Sequence, residues 1–154
     1  MRRHRLIARL ALAVAAALVL VVAPATGATK KKHSVDLSVR AARVATSGDS
    51  NTVAGTFTGP PYGKGAVVYV TTPAANNALA AKYTGYTAKG TVRGTTLVTP
   101  TPQPDGTTSF AGTLQVTGGT GRYRGARGKD LKVTGRFDPR ENVFTFEITG
   151  TVRY

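Results

Sequence analysis

The chain has 154 residues, with 21 Lys and Arg against 7 Asp and Glu, 18 Gly and no Cys. That length sets one domain as the expectation, and the missing cysteine excludes disulfide frameworks, lipid attachment through a lipobox and thiol nucleophiles. A formal charge of +14 favours polyanions or anionic envelopes as partners. The same charge serves solubility and weak unspecific adhesion, and it does not bear on fold.

Residues 1–9 carry Arg2, Arg3, Arg5 and Arg9 without an acid, residues 10–22 are unbroken apolar sequence, and small residues run on to Ala28. Charged start, short apolar run and small-residue exit describe a secretory signal peptide. Cleavage fits best after Ala28, or else after Ala25, and the apolar run falls short of the roughly 20 residues that span a bilayer. The expected organisation is a signal peptide over 1–28, a flexible basic leader over 29–33 holding Lys30-Lys31-Lys32, and a β domain over 34–154 in a secreted protein. Four basic residues lie in the signal, so 17 remain against the seven acids and the mature charge is near +10.

Within the mature chain, residues 34–44 alternate Val35, Leu37, Val39 and Ala41 against Asp36, Ser38 and Arg40, which predicts a first strand. A turn cluster over 47–51 leads to a second strand over 52–58, stopped by Gly59-Pro60-Pro61. Residues 65–72 are β-branched and aromatic and form a third strand ending at Pro73. Residues 74–82 have the only helical propensity, short enough that a loop with one helical turn is an equal expectation. The Thr-rich run 83–98 divides into two strands, with Gly85, Gly90 and Gly94 marking a bend or bulge. Residues 99–106, with three prolines, read as an extended connector closing in a turn.

The last third alternates most cleanly. Phe110, Gly112, Leu114 and Val116 share one face, as do Leu131, Val133, Gly135 and Phe137, then Phe144, Phe146, Ile148, Gly150 and Val152. One packed face and one polar face describe antiparallel pairing. Gly-Thr-apolar recurs at Gly55, Gly90, Gly112 and Gly150 at unequal intervals, so glycines inside strands mark curvature and not a solenoid repeat. About eight strands in roughly 120 residues, joined by hairpin-length connections, predict an all-β, single antiparallel closed barrel over an open sandwich. Closure also removes exposed edges.

Much chemistry is excluded. The mature chain has His33 as its single histidine, so no Ser-His-Asp or Cys-His arrangement exists, and no His, Cys or carboxylate set has the spacing of a zinc or calcium site. The glycine-rich stretch 118–128, GGTGRYRGARG, is not a phosphate loop: Asp130 follows Lys129 where Ser or Thr is required, and no helix pattern follows. Nucleic-acid binding has Arg122, Arg124, Arg127, Lys129, Lys132 and Arg136 with Tyr123 in its favour, and export and the lack of interleaved aromatics against it. For Arg127 the expected role is tying the turn to backbone carbonyls or to Asp130. No cofactor motif is present.

The run TGGTGRYRGARG, followed by a strand and then by FTFEITGTVRY, resembles the dirigent and allene oxide cyclase-like β-barrel superfamily, whose members have a GGTGKFRGARG-type turn late in the chain. It looks most like exported bacterial relatives, which also read GxPxG ahead of a Val-rich strand, as Gly59-Pro60-Pro61-Tyr62-Gly63-Lys64-Gly65 does. The resemblance is good over 112–154, loose over 53–110 and absent over the signal and leader. It implies an eight-stranded barrel whose apolar cavity binds a small hydrophobic molecule, as in dirigent proteins that steer phenoxy-radical coupling and in cyclases that fold an unstable epoxide. Gly118, Gly119, Thr120, Gly121, Arg122, Tyr123, Gly125, Ala126, Arg127 and Gly128 carry over as barrel-closing positions. The acidic residues that serve the family do not align, so none carries over.

The leading expectation is a secreted barrel that binds an apolar or aromatic molecule non-covalently. Tyr69, Tyr83, Tyr86 and Phe110 are its candidate lining residues, against plain core or outer-surface packing for each. The enzyme alternative is a cyclase-like or isomerase-like catalyst with Glu147 or Asp36 as the polar group in the cavity, although Glu147 lies on the polar face of its strand. The third alternative is an envelope adhesion protein using the basic surface. An eight-stranded barrel either fills its interior with side chains or holds one ligand, so the cavity separates these readings.

Overall fold

The computed structural model describes residues 29–154, so the expected signal peptide lies outside the described residues. Eight strands follow in order: β1 (Lys32–Ser47), β2 (Ser50–Gly59), β3 (Gly63–Pro73), β4 (Leu79–Thr87), β5 (Gly90–Pro102), β6 (Thr108–Gly119), β7 (Gly128–Asp138) and β8 (Val143–Arg153). Each pairs antiparallel with its sequence neighbours, and β8 pairs with β1 to close the barrel. The predicted all-β closed barrel is the fold.

Period-2 alternation sets what faces the lumen. Val35, Leu37, Val39 and Ala41 of β1 are buried while Asp36, Ser38 and Arg40 between them are exposed. Across the closing seam Leu37 stands opposite Ile148 and Val39 opposite Phe146, so one register places both apolar rows inside. The core is the lumen itself.

Inward glycines make room for aromatic rings. A Cβ on Gly135 would overlap Phe146 and come within 2.7 Å of Phe110 Cζ, and one on Gly85 would stand 3.4 Å from the Phe57 ring. A ring laid over a bare backbone position shields it and fills a strongly curved sheet without crowding.

The ends of the barrel differ. At the lower end, residues 118–128 fold across the opening through a short 3-10 turn, Gly121–Tyr123. The Thr120 and Arg122 amides donate to Thr91 and Lys89 carbonyls at 2.9 Å each. Gly121 and Gly125 take φ of 56° and 68°, the left-handed region that favours glycine. Tyr123 is only 1% exposed and meets Tyr62 and Tyr154 edge-on, each at 5.1 Å between ring centroids. Arg127 exchanges backbone hydrogen bonds with Arg153, and its guanidinium donates to the Thr117 and Ala126 carbonyls. The carbonyl alternative expected for this arginine is the one observed.

Three local expectations differ from the structure. The leader does not stay separate: Lys32 and His33 begin β1 opposite Arg153 and Val152, and Lys31 exchanges backbone bonds with Tyr154. Here β8 offers a full-length partner edge, which local composition does not reveal. In 74–82 only Ala75–Asn77 forms a 3-10 turn, and Leu79 opens β4 because Leu79, Ala81 and Tyr83 alternate inward; tertiary pairing overrides the alanine propensity. Residues 99–102 belong to β5 despite their prolines. That part of β5 has lost β4, whose pairing ends at Val98, and bonds β6 alone, so the missing proline N–H groups interrupt no ladder.

Gly135→Val is expected to cost about 1–3 kcal/mol through overpacking and backbone shift, read as a lower midpoint in urea unfolding. An unchanged midpoint would remove the account of lumen filling.

Candidate functional site

At the upper end the lumen is not filled. A cavity of about 160 Å³ opens among the ends of β1–β8, with Tyr69, Phe110, Phe144 and Phe146 on its walls and Ala81 and Val98 between them. A second space of about 30 Å³ lies deeper, below Tyr69 and Leu114, against Phe57, Tyr83 and Ile148. The upper space is thus a cup over a nearly solid floor.

The walls are a continuous set of aromatic contacts. Phe137 stacks on Phe144 at 4.3 Å, and Phe144 meets Phe110 at 6.4 Å. Phe110 meets Phe146 edge-on at 5.7 Å, Phe146 meets Tyr69 at 5.6 Å, and Tyr69 meets Tyr83 at 5.7 Å. Offset and edge-on arrangements of this kind are the favourable ones for aromatic quadrupoles.

Polar groups gather at the mouth. Arg43, Asn51, Thr71 and Thr108 line it, and the Arg43 guanidinium lies 5.3 Å from the centre of the Phe137 ring. Asn142 Nδ2 donates to the Arg43 carbonyl at 3.0 Å, tying the β7–β8 turn to β1. Beside the mouth, Asp105 accepts from the Thr107 amide and hydroxyl and pairs with Arg136, which fixes the β5–β6 turn to β7. The Thr107 hydrogen bonds, then the Arg136 charge, hold the Asp105 carboxyl below its usual value.

The residues expected in the cavity separate into three places. Tyr69 and Phe110 line the cup. Tyr83 points inward but lies one layer deeper, its hydroxyl donating to the Gln115 carbonyl at 3.3 Å. Tyr86 and Glu147 are on the outside. Tyr86 is 50% exposed because β4 pairs without a register shift on either side, and residues three apart on an unbroken strand face opposite ways. Glu147 alternates with buried Phe146 and Ile148, and Asp36 with buried Val35 and Leu37, so both carboxylates face solvent. Sequence reasoning missed Phe144, Phe146 and Arg43 as lining groups. Their signal was present in the parity of the apolar rows, since Arg43 continues the series Val35, Leu37, Val39, Ala41.

Outside the barrel, Lys32, Arg127, Lys129 and Arg153 gather with Thr117 and Thr151 in a shallow depression. Among the described residues there is no group of His and carboxylates able to hold a metal ion. No family model, curated protein or solved structure matches this chain.

Burial raises the phenol of Tyr69, and burial first and neighbouring phenols second raise those of Tyr83 and Tyr62, well above the usual value of 10.0. A raised folded-state value contributes stability below pH 10 that is lost as pH rises past it, because the unfolded phenols ionise first. Urea midpoints are therefore expected to hold steady to about pH 9.5 and then to fall, and to fall less in Tyr69→Phe. Midpoints independent of pH up to 11 would contradict that placement of the three rings.

Proposed function

We propose that this chain is an exported β-barrel protein that holds one small apolar or aromatic molecule, non-covalently, in the cup. The observation that carries the reading is the open space of about 160 Å³ bounded mainly by aromatic and aliphatic side chains, with Thr96 and the Tyr69 phenol as polar groups in its wall and Arg43, Asn51, Thr71 and Thr108 at its mouth. Binding sites combine apolar walls with a few placed polar groups in this manner. An engineered protein cavity of similar volume, about 150 Å³, stays dry and takes up benzene, so one ring is the fitting size here. The closed eight-strand architecture supports the dirigent and allene oxide cyclase-like resemblance, and the three-part N-terminal sequence supports export. Non-covalent binding is favoured over a cyclase-like reaction because the two carboxylates considered for the cavity, Asp36 and Glu147, stand on the outer face.

A second activity has its own observation. Lys32, Arg127, Lys129 and Arg153 line one surface depression whose lining holds no acid, which suits weak contact with an anionic polymer of the cell envelope. Such contact is expected to weaken steeply between 50 and 500 mM salt, as screening shortens from roughly 14 Å to 4 Å. Retention on an anionic polysaccharide resin measures it, and retention that ignores salt would overturn it.

Isothermal titration with benzene, toluene, phenol and cyclohexane tests the main reading. Saturable one-to-one binding of at least one ring compound is expected. Ala81→Phe, which fills the cup from a lining position, should weaken it roughly tenfold or more, about 1.4 kcal/mol, with the far-ultraviolet circular dichroism unchanged. Absence of binding across the panel would sink the proposal.

A further inference from the structure

The mouth of the cup specifies more than size. Its lining contains one charged side chain, Arg43. Arg43 keeps the lumen-facing parity of Val35, Leu37, Val39 and Ala41, opposite buried Val53, and stands exposed at the rim. The strand then shifts register between Arg43 and Ala45, leaving Val44 as the extra residue. Bulges of this kind re-aim a side chain at the rim of a barrel. The single ion pair among the described residues joins Arg136 to Asp105, so Arg43 has no carboxylate of the protein against it. Its guanidinium is held over the Phe137 ring, and a planar guanidinium carries five N–H donors in a fork that matches a carboxylate.

We propose that the ligand is a monocyclic aromatic carboxylic acid in its anionic form, with its ring among Phe110, Phe144, Phe146 and Tyr69 and its carboxylate at the mouth against Arg43. This rests on the reading that the cup binds a small ring. The volume admits one ring with a short substituent, as argued above. The aromatic walls offer stacking and edge-on contacts that a saturated chain uses less well. The carboxylate remains at the wet end, where Asn51 and Thr71 supply further polar atoms and where desolvation of the anion is incomplete. A cationic head group would meet Arg43 with the same sign. The mature charge near +10 also raises the encounter rate for anions.

The test is titration calorimetry on the purified protein with benzoate and phenylacetate against their uncharged counterparts benzamide and benzyl alcohol, at pH 7 and 100 mM salt. The carboxylates are expected to bind about tenfold more tightly than the neutral compounds, the effect of one charge-assisted hydrogen-bonded pair. In Arg43→Gln that preference should shrink to within about twofold, with the neutral affinities retained, and Arg43→Lys should keep part of it. Neutral compounds binding as well as the acids would overturn the inference and leave the cavity reading standing. An acid preference that survives in Arg43→Gln would overturn the role given to Arg43. Failure of every compound to bind would overturn both.

Discussion

A closed eight-stranded barrel has a lumen of nearly fixed width, and the sizes of its inward side chains decide where that lumen is solid. In this protein the distribution is uneven along the axis. The lower part receives Phe57, Tyr83, Leu131 and Ile148 and is capped by Tyr62, Tyr123 and Tyr154. In the upper part the large side chains are rings that lie along the wall, over Gly135 and beside Ala81. The cup is what remains when wall-lining aromatics are not met by equally large residues from across the barrel. The glycines that permit curvature and the open space in the upper lumen are therefore consequences of the same steric allocation.

Strand pairing places the opening. Beyond Ala42, β1 bonds β2 alone, and beyond Val98, β5 bonds β6 alone. Two hairpin arms thus flank the mouth, each without one lateral ladder. The lower end is closed instead by the glycine-rich segment and by backbone bonds between Lys31 and Tyr154. Elements with fewer neighbours open at lower free-energy cost, so the arms are the part of the barrel that opens most cheaply and the base the part that opens least. The Asp105–Arg136 contact ties the β5–β6 arm to β7, and the Asn142 bond to the Arg43 carbonyl ties the β1–β2 arm to the β7–β8 turn.

Much of this architecture is legible in the sequence, because alternation is a local signal. The rows ending the chain, from Phe110 to Val116, Leu131 to Phe137 and Phe144 to Val152, identify strands and their packed faces directly. Legibility fails where pairing across the barrel decides the outcome. Lys32 and His33 are drawn into β1 by the far edge of β8, and Thr99–Pro100 extend β5 because β4 has already ended. The site is half legible: aromatic chemistry points to Tyr69 and Phe110, which line the cup, and equally to Tyr86, which parity sends outside. The charge of Arg43 reads as surface, although its parity in the row from Val35 to Ala41 points to the lumen side. Parity counted through an unbroken strand would have corrected both.

A crystal structure determined under xenon pressure would show whether a dry, ring-sized space persists in the folded protein. Xenon enters apolar cavities of this size without needing a hydrogen-bond partner. A xenon atom is expected in the upper lumen, in contact with Tyr69, Phe110 and Phe146, with the lower lumen left empty. Aromatic rings collapsed onto one another with no bound xenon, or a chain of ordered water in the same place, would contradict it.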